Sequence, residues 1–222
     1  MRSNHTHIRP THRRHGERQE LDTESRIISA ATQLFARNGY DATSTKEICG
    51  LAAVNIAAIH YHFGSKEGLL RCILESCGAT RTLCLKGILL PPTSAADLKL
   101  GLRQFLDALI GAFLDEPDLW RVAEREYEFM HSRSEEVLRK TLLKQQNALA
   151  EFLSQARRRR LVAREIDPRF AARMLLSHVS QHTRFDLGCR KSAGSSLTDP
   201  KVRSRWVDQS LCIFLNGISE TQ

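Results

Sequence analysis

Residues 44–63, STKEICGLAAVNIAAIHYHF, hold two short helices and a tight turn, and their reading decides the fold. Ser44-Thr45-Lys46-Glu47 is a capping box: the Ser44 hydroxyl can accept from the Glu47 amide while the Glu47 carboxylate reaches back to the Ser44 amide. The helix that starts there is short and runs to about Ala52. Val54-Asn55 reads as a turn closed by an N-cap, and a second short helix follows from Ile56 to about Phe63, where Gly64 breaks it. Ile59 and Phe63, four apart, give this helix an apolar inner face. His60, Tyr61 and His62 point variously outward, with groups able to bond phosphates or base edges.

Upstream, Asp22 is a plausible N-cap, and Ile27, Ile28, Ala31, Leu34 and Phe35 follow at helical spacing. Gly39 supplies a left-handed stop, and Tyr40 can fold back onto Phe35. Three helices with about three residues between the second and third form the helix-turn-helix arrangement, whose third helix can lie in the major groove. Downstream, Ser65 caps a fourth helix through Leu69, Leu70, Ile73 and Leu74 to about Lys86, and Pro91-Pro92 ends that region. Further helices are expected over 95–115, 117–130, 135–160, 168–187 and 200–218. Asp167-Pro168 and Asp199-Pro200 are each an N-cap followed by Pro at the first helical position. No strand, hairpin signal or repeat is evident. The expected fold is therefore all-α: a basic, disordered arm over 1–21, a DNA-binding domain over 22–66, and a larger helical domain over 67–222.

The stretch RIISAATQLFARNGYDATSTKEICGLAAVNIAAIHYHFGSKEGLL, residues 26–70, closely resembles the N-terminal domain of TetR-family regulators. The anchors are Ala-x-x-Leu-Phe-x-x-x-Gly-Tyr in helix 1, Ala-Thr-Ser-Thr before helix 2, and His-Tyr-His-Phe-x-Ser-Lys-Glu across the helix 3–4 junction. The resemblance covers about a fifth of the chain. It implies that Lys46 reads a base and Thr45 contacts phosphate. It places Ile56, Ala57 and Ala58 at base-contacting positions, where apolar residues suit thymine methyls. His60 takes a position often held by Tyr, while Tyr61, His62 and Lys66 look like phosphate clamps, Lys66 aided by its helix N-terminus. Asn55 completes the expected DNA-contacting set. Ala53 departs from the family, which usually has Gly there; a positive φ at Ala53 costs about 1 kcal/mol.

The resemblance further implies a homodimer through the last two helices, with Phe170, Met174, Val179, Val202, Trp206 and Phe214 as apolar surface. It implies an effector pocket in the intervening helices. Phe105, Leu109, Phe113, Trp120 and Tyr127 are expected to line it, with Arg125, His178 or His182 as polar handles. The implied function is a ligand-responsive regulator, by resemblance a repressor, released from a near-palindromic operator by an unknown small molecule. The alternatives are an effector-independent DNA-binding protein, or an enzyme with a helix-turn-helix-like start.

Composition agrees with this reading. A formal charge of +8 and a pI near 9.5 favour a polyanionic partner, double-stranded DNA above a membrane surface. No apolar run is long enough for a membrane span, and residues 1–20 lack a secretory apolar segment, so a cytoplasmic location is expected. Six scattered cysteines without a C-x-x-C pair read as reduced, partly buried thiols and not a disulfide framework. Phosphate-loop, dinucleotide and hydrolase motifs are absent, so no catalytic residue and no cofactor is expected. Glu124, Glu126 and Glu128 read as a solvated acidic face. His60 and His62 do not share a helix face, and His178 and His182, which do, lack a further ligand nearby, so no metal site is expected. Arg157–Arg160 read as a solvated helix end. Arg9, Arg13, Arg14 and Arg18 read as a solvated tail, with minor-groove insertion as the alternative.

Overall fold

The computed structural model describes residues 12–85, 87–129, 132–189 and 196–218, and these are organised as α1 (His12–Asn38), α2 (Thr45–Ala52), α3 (Ile56–Phe63), α4 (Lys66–Leu85), α5 (Ala95–Asp115), α6 (Pro117–Phe129), α7 (Ser132–Arg158), α8 (Pro168–Cys189) and α9 (Pro200–Ile218). No strand occurs among the described residues. The all-α expectation holds.

One boundary differs clearly. Helix α1 begins at His12, whereas order was expected only from Asp22. Arg, Gln, Glu and Leu between residues 13 and 21 are good helix formers, and lengthening an existing helix needs no new nucleus. Residues 1–11, including Arg9, lie outside the described residues.

The chain divides into two compact units, one up to Ile73 and one from Leu74. The division falls inside α4, beyond the junction expected after Lys66. The first unit packs around Ile27, Ala31, Phe35, Ile48, Ile59, Leu69, Leu70 and Ile73, each nearly inaccessible. Ile59 alone contributes about 1.5–3 kcal/mol by burial, enough to hold a helix as short as α3 in place.

In the second unit, α5 buries Leu98, Leu102, Phe105, Leu106 and Ile110. Helix α7 supplies Leu149, Phe152 and Leu153, and α8 supplies Ala172, Leu175 and Val179. Arg103 joins α5 to α9: it pairs with Asp208 and donates to Ser204 Oγ at 2.8 Å. Gly78 of α4 lies where a Cβ would sit 2.6 Å from Thr141 Oγ1, so α4 and α7 approach closely there. Glu126 is buried, not solvated. It accepts from Ser134 Oγ at 2.8 Å and pairs with Arg133 at 3.3 Å. Position 126 faces away from 124 and 128 on the helix, so the three glutamates do not form one acidic face.

Candidate functional site

The first unit is a set of short helices locked by local polar contacts. Gly39 ends α1 with φ 85° and donates to Phe35 O at 2.9 Å, and the Tyr40 ring returns to within 5.4 Å of the Phe35 ring. Buried Thr43 donates to the Gly39 carbonyl at 2.7 Å. The capping box is formed: Glu47 N donates to Ser44 Oγ at 3.2 Å, and Ser44 N donates to Glu47 Oε2 at 2.7 Å. Those bonds to Ser44 hold the Glu47 carboxyl below its ordinary range. Arg26 of α1 reaches across to donate to Ala52 O at 3.2 Å, at the negative end of α2.

Between α2 and α3 the backbone reverses through Ala53, which is left-handed at φ 53°, ψ 49°. Its amide closes onto the Cys49 and Gly50 carbonyls, and Val54 N donates to Cys49 O at 3.0 Å. Cys49 is buried, which pushes its thiol upward. Asn55 then caps α3, its Oδ1 accepting from Ala57 N at 3.0 Å. The Asn55 oxygen is thus engaged in the turn itself.

With Ile59 inward, α3 turns Ile56, Ala57, His60 and Tyr61 to solvent. These positions lie one, four and five residues after the first, which is one helix face. Ile56 is 49% exposed and Tyr61 74%. Ala58 is half-buried. So is His62, which meets the Tyr61 ring edge-on at 4.9 Å. At the start of α2, Lys46 is exposed and Thr45 half-buried. His60 Nδ1 lies 3.0 Å from Gly64 O. A carbonyl only accepts, so Nδ1 carries the hydrogen; in the tautomer without a second ring hydrogen Nε2 is the acceptor. In a major groove that acceptor suits the exocyclic amine of adenine or cytosine.

Lys66, expected as a phosphate clamp, has two of its three ammonium hydrogens engaged within the unit. Its Nζ donates to Tyr40 O at 2.8 Å and Thr43 O at 2.7 Å and sits 4.1 Å above the Tyr40 ring. The lysine fastens the α1–α2 loop to α4. The family motif singles out the residue, but its partners lie too far away in sequence to be read from it. Sequence reasoning also passed over Gly68. A Cβ at Gly68 would stand 2.0 Å from Phe63 O, so the α3–α4 junction closes only around glycine.

The second unit contains a cavity of about 560 Å³ walled by α5, α6, α7 and α8. Of the expected lining, Leu109, Phe113, Trp120 and Tyr127 are there; Phe105, Arg125, His178 and His182 are not. Phe105 is core, and Arg125 is exposed elsewhere on α6. Helix α8 shows Arg173, Leu176, Ser177, Ser180, Gln181 and Arg184 to the cavity, a helical stripe. His178 and His182 stand off that stripe and stack on Trp206 of α9, at 5.1 and 4.5 Å between ring centres. Burial there lowers His182 below its ordinary value. Among the described residues no group of three or more His, Cys, Asp and Glu side chains could hold a metal ion.

The expected dimer surface is partly revised. Val179 and Phe214 are buried in the unit's own core. Phe170, Met174, Phe185 and Ile213 are the exposed apolar residues of α8 and α9, at 63%, 49%, 62% and 75%.

Residues 27–73 match the family described as bacterial regulatory proteins, tetR family. The regulator UidR of Escherichia coli is 38% identical over 52 residues, 23% of this chain and 26% of its own. The regulator QacR of Staphylococcus aureus is 39% identical over 55 residues, 25% of this chain and 29% of its own. The match thus spans only about a quarter of these curated relatives' length. Among solved structures, the fatty acid degradation regulator FadR from Bacillus halodurans superposes with a TM-score of 0.71 at 19% identity, covering 88% of this chain and 95% of its own. The N-terminal unit is a tetR-type helix-turn-helix domain, and the likeness beyond it is one of fold.

Proposed function

We propose that this chain, built on a tetR-type DNA-binding domain, is a cytoplasmic transcriptional repressor that binds a near-palindromic operator as a homodimer and releases it when a small organic effector fills the second unit. The observation that carries the reading is the outward row Ile56, Ala57, His60 and Tyr61 on a helix held from behind by Ile59. In a dimer, two such helices meet successive major grooves about 34 Å apart. The exposed Phe170, Met174, Phe185 and Ile213 support self-association through α8 and α9, because unpartnered apolar patches of this kind favour an isologous interface. The cavity supports ligand response. Helix α4 supports coupling: it runs on from the DNA-binding unit and meets α7, one of the cavity walls, at Gly78 and Thr141.

Selection of binding sites from random DNA by the purified protein tests this reading, followed by titration of Tyr61→Ala and Lys46→Ala on the selected site. Tyr61→Ala is expected to weaken binding across all sequences and flatten its salt dependence. Lys46→Ala is expected to relax one operator position by about 1–3 kcal/mol. Unchanged affinity in both variants removes α2 and α3 from the DNA interface.

A further inference from the structure

We infer that the cavity of the second unit takes a lipophilic organic anion. The inference rests on the effector reading above and specifies its chemistry. The floor is apolar: Leu109, Phe113 and Leu138 are buried, and the Phe113 ring stacks on Trp120 at 3.8 Å between centres. Such a surface favours an aliphatic or aromatic body.

Two polar features select the sign of the head group. Gln145 of α7 lines this wall at 4% exposure, and its Nε2 has no hydrogen-bond partner among the described residues. A buried amide donor calls for an acceptor oxygen. Arg184 already faces both wall carboxylates, Glu124 at 4.0 Å and Glu128 at 3.5 Å. Arg139 and Arg173, both exposed, also line the cavity, and neither forms an ion pair among the described residues. The wall therefore carries an excess of guanidinium charge. An ammonium ligand would leave the Gln145 donor unmet and face two arginines. A neutral ligand with an oxygen would answer Gln145 alone. An apolar carboxylate answers both.

Calorimetric titration of the full-length protein with three ten-carbon probes tests the inference: decanoate, decanol and decylammonium. Decanoate is expected to bind at least about tenfold more tightly than either other probe. Gln145→Leu should weaken decanoate about tenfold while raising the melting temperature of the free protein, because a buried donor without a partner is removed. The double variant Arg139→Gln, Arg173→Gln should bring decanoate to the level of decanol. Equal or tighter binding of decylammonium, equal binding of all three, or no binding of any overturns the inference. Operator release is scored separately. Selective decanoate binding that leaves the DNA complex intact refutes the effector reading and keeps the anion site. Release by decylammonium keeps the effector reading and refutes the anion.

Discussion

Replacing Ala53 with glycine is expected to stabilise this protein, although it removes a side-chain carbon. Ala53 sits at φ 53°, ψ 49°, in the turn on which α3 depends. An L-residue there loses about 1–2 kcal/mol against the right-handed region because its Cβ crowds the following carbonyl. Glycine escapes that crowding but gives the unfolded chain more freedom, which costs about 0.4–1 kcal/mol. Ala53 is exposed, so no cavity opens. Taking the middle of each range, the net gain is about 0.8 kcal/mol. A domain of this unit's size shifts by about 4–8 °C per kcal/mol, so its transition should rise by roughly 3–6 °C in scanning calorimetry. Ala53→Val, with a β-branched side chain in the same conformation, should lower it by at least as much. Operator affinity of Ala53→Gly should stay within about twofold, since the turn's amides already close onto Cys49 and Gly50. A lower or unchanged transition would refute the left-handed turn, and with it the geometry assigned to α3.

The remaining predictions concern the same supports. Lys66→Met leaves the Tyr40 and Thr43 carbonyls without their donor and should destabilise the first unit by about 1–3 kcal/mol in urea titration. The salt slope of DNA binding by the folded variant should stay unchanged, whereas loss of a phosphate clamp would reduce it by about one. Gly68→Ala forces a Cβ against the Phe63 carbonyl and should destabilise the first unit by at least about 1–3 kcal/mol, while Gly50→Ala, with open space around it, should stabilise α2 by about 0.5–1 kcal/mol. Acid should weaken both units. Hydrogen bonds from Ser44 hold Glu47 below its ordinary 4.5, and bonds from Thr93 hold Asp97 below 3.8. Each contribution is complete above the ordinary value and disappears as pH falls through the lowered one. Glu47→Gln should flatten that acid limb in a pH series of thermal melts.

Features built from neighbouring residues were legible in the sequence. The Ser44–Glu47 box, the Asn55 cap, the Gly39 stop with its Phe35–Tyr40 contact, and the Asp-Pro starts of α8 and α9 each form within a few residues. Their chemistry is written locally, and the helix boundaries from α2 to α9 follow from them within a few residues. Features that depend on a distant partner were not legible. The family motif marks Lys66, but not that the Tyr40 and Thr43 carbonyls, more than twenty residues back, accept from its ammonium. His178 and His182 share a face with the right spacing for a cavity, yet which neighbour meets that face depends on how α8 is rotated, and it meets Trp206. Phe105, Val179 and Phe214 show the same limit: apolar spacing marks a buried side chain without saying whether it packs in a core, a pocket wall or a dimer face. The missed Gly68 belongs here too, because its necessity arises from a carbonyl in the preceding helix.

The outward row of α3 bears on how such a protein changes over generations. On the proposed reading, Ile56, Ala57 and His60 would meet base edges and Tyr61 the phosphates, yet none of the four is buried. The helix is held by Ile59 beneath it and Asn55 before it. Mutations that retarget the operator and mutations that unfold the domain therefore fall on different residues. If the proposed DNA contacts hold, a lineage carrying this scaffold could change its target sequence while inheriting the same foldable body.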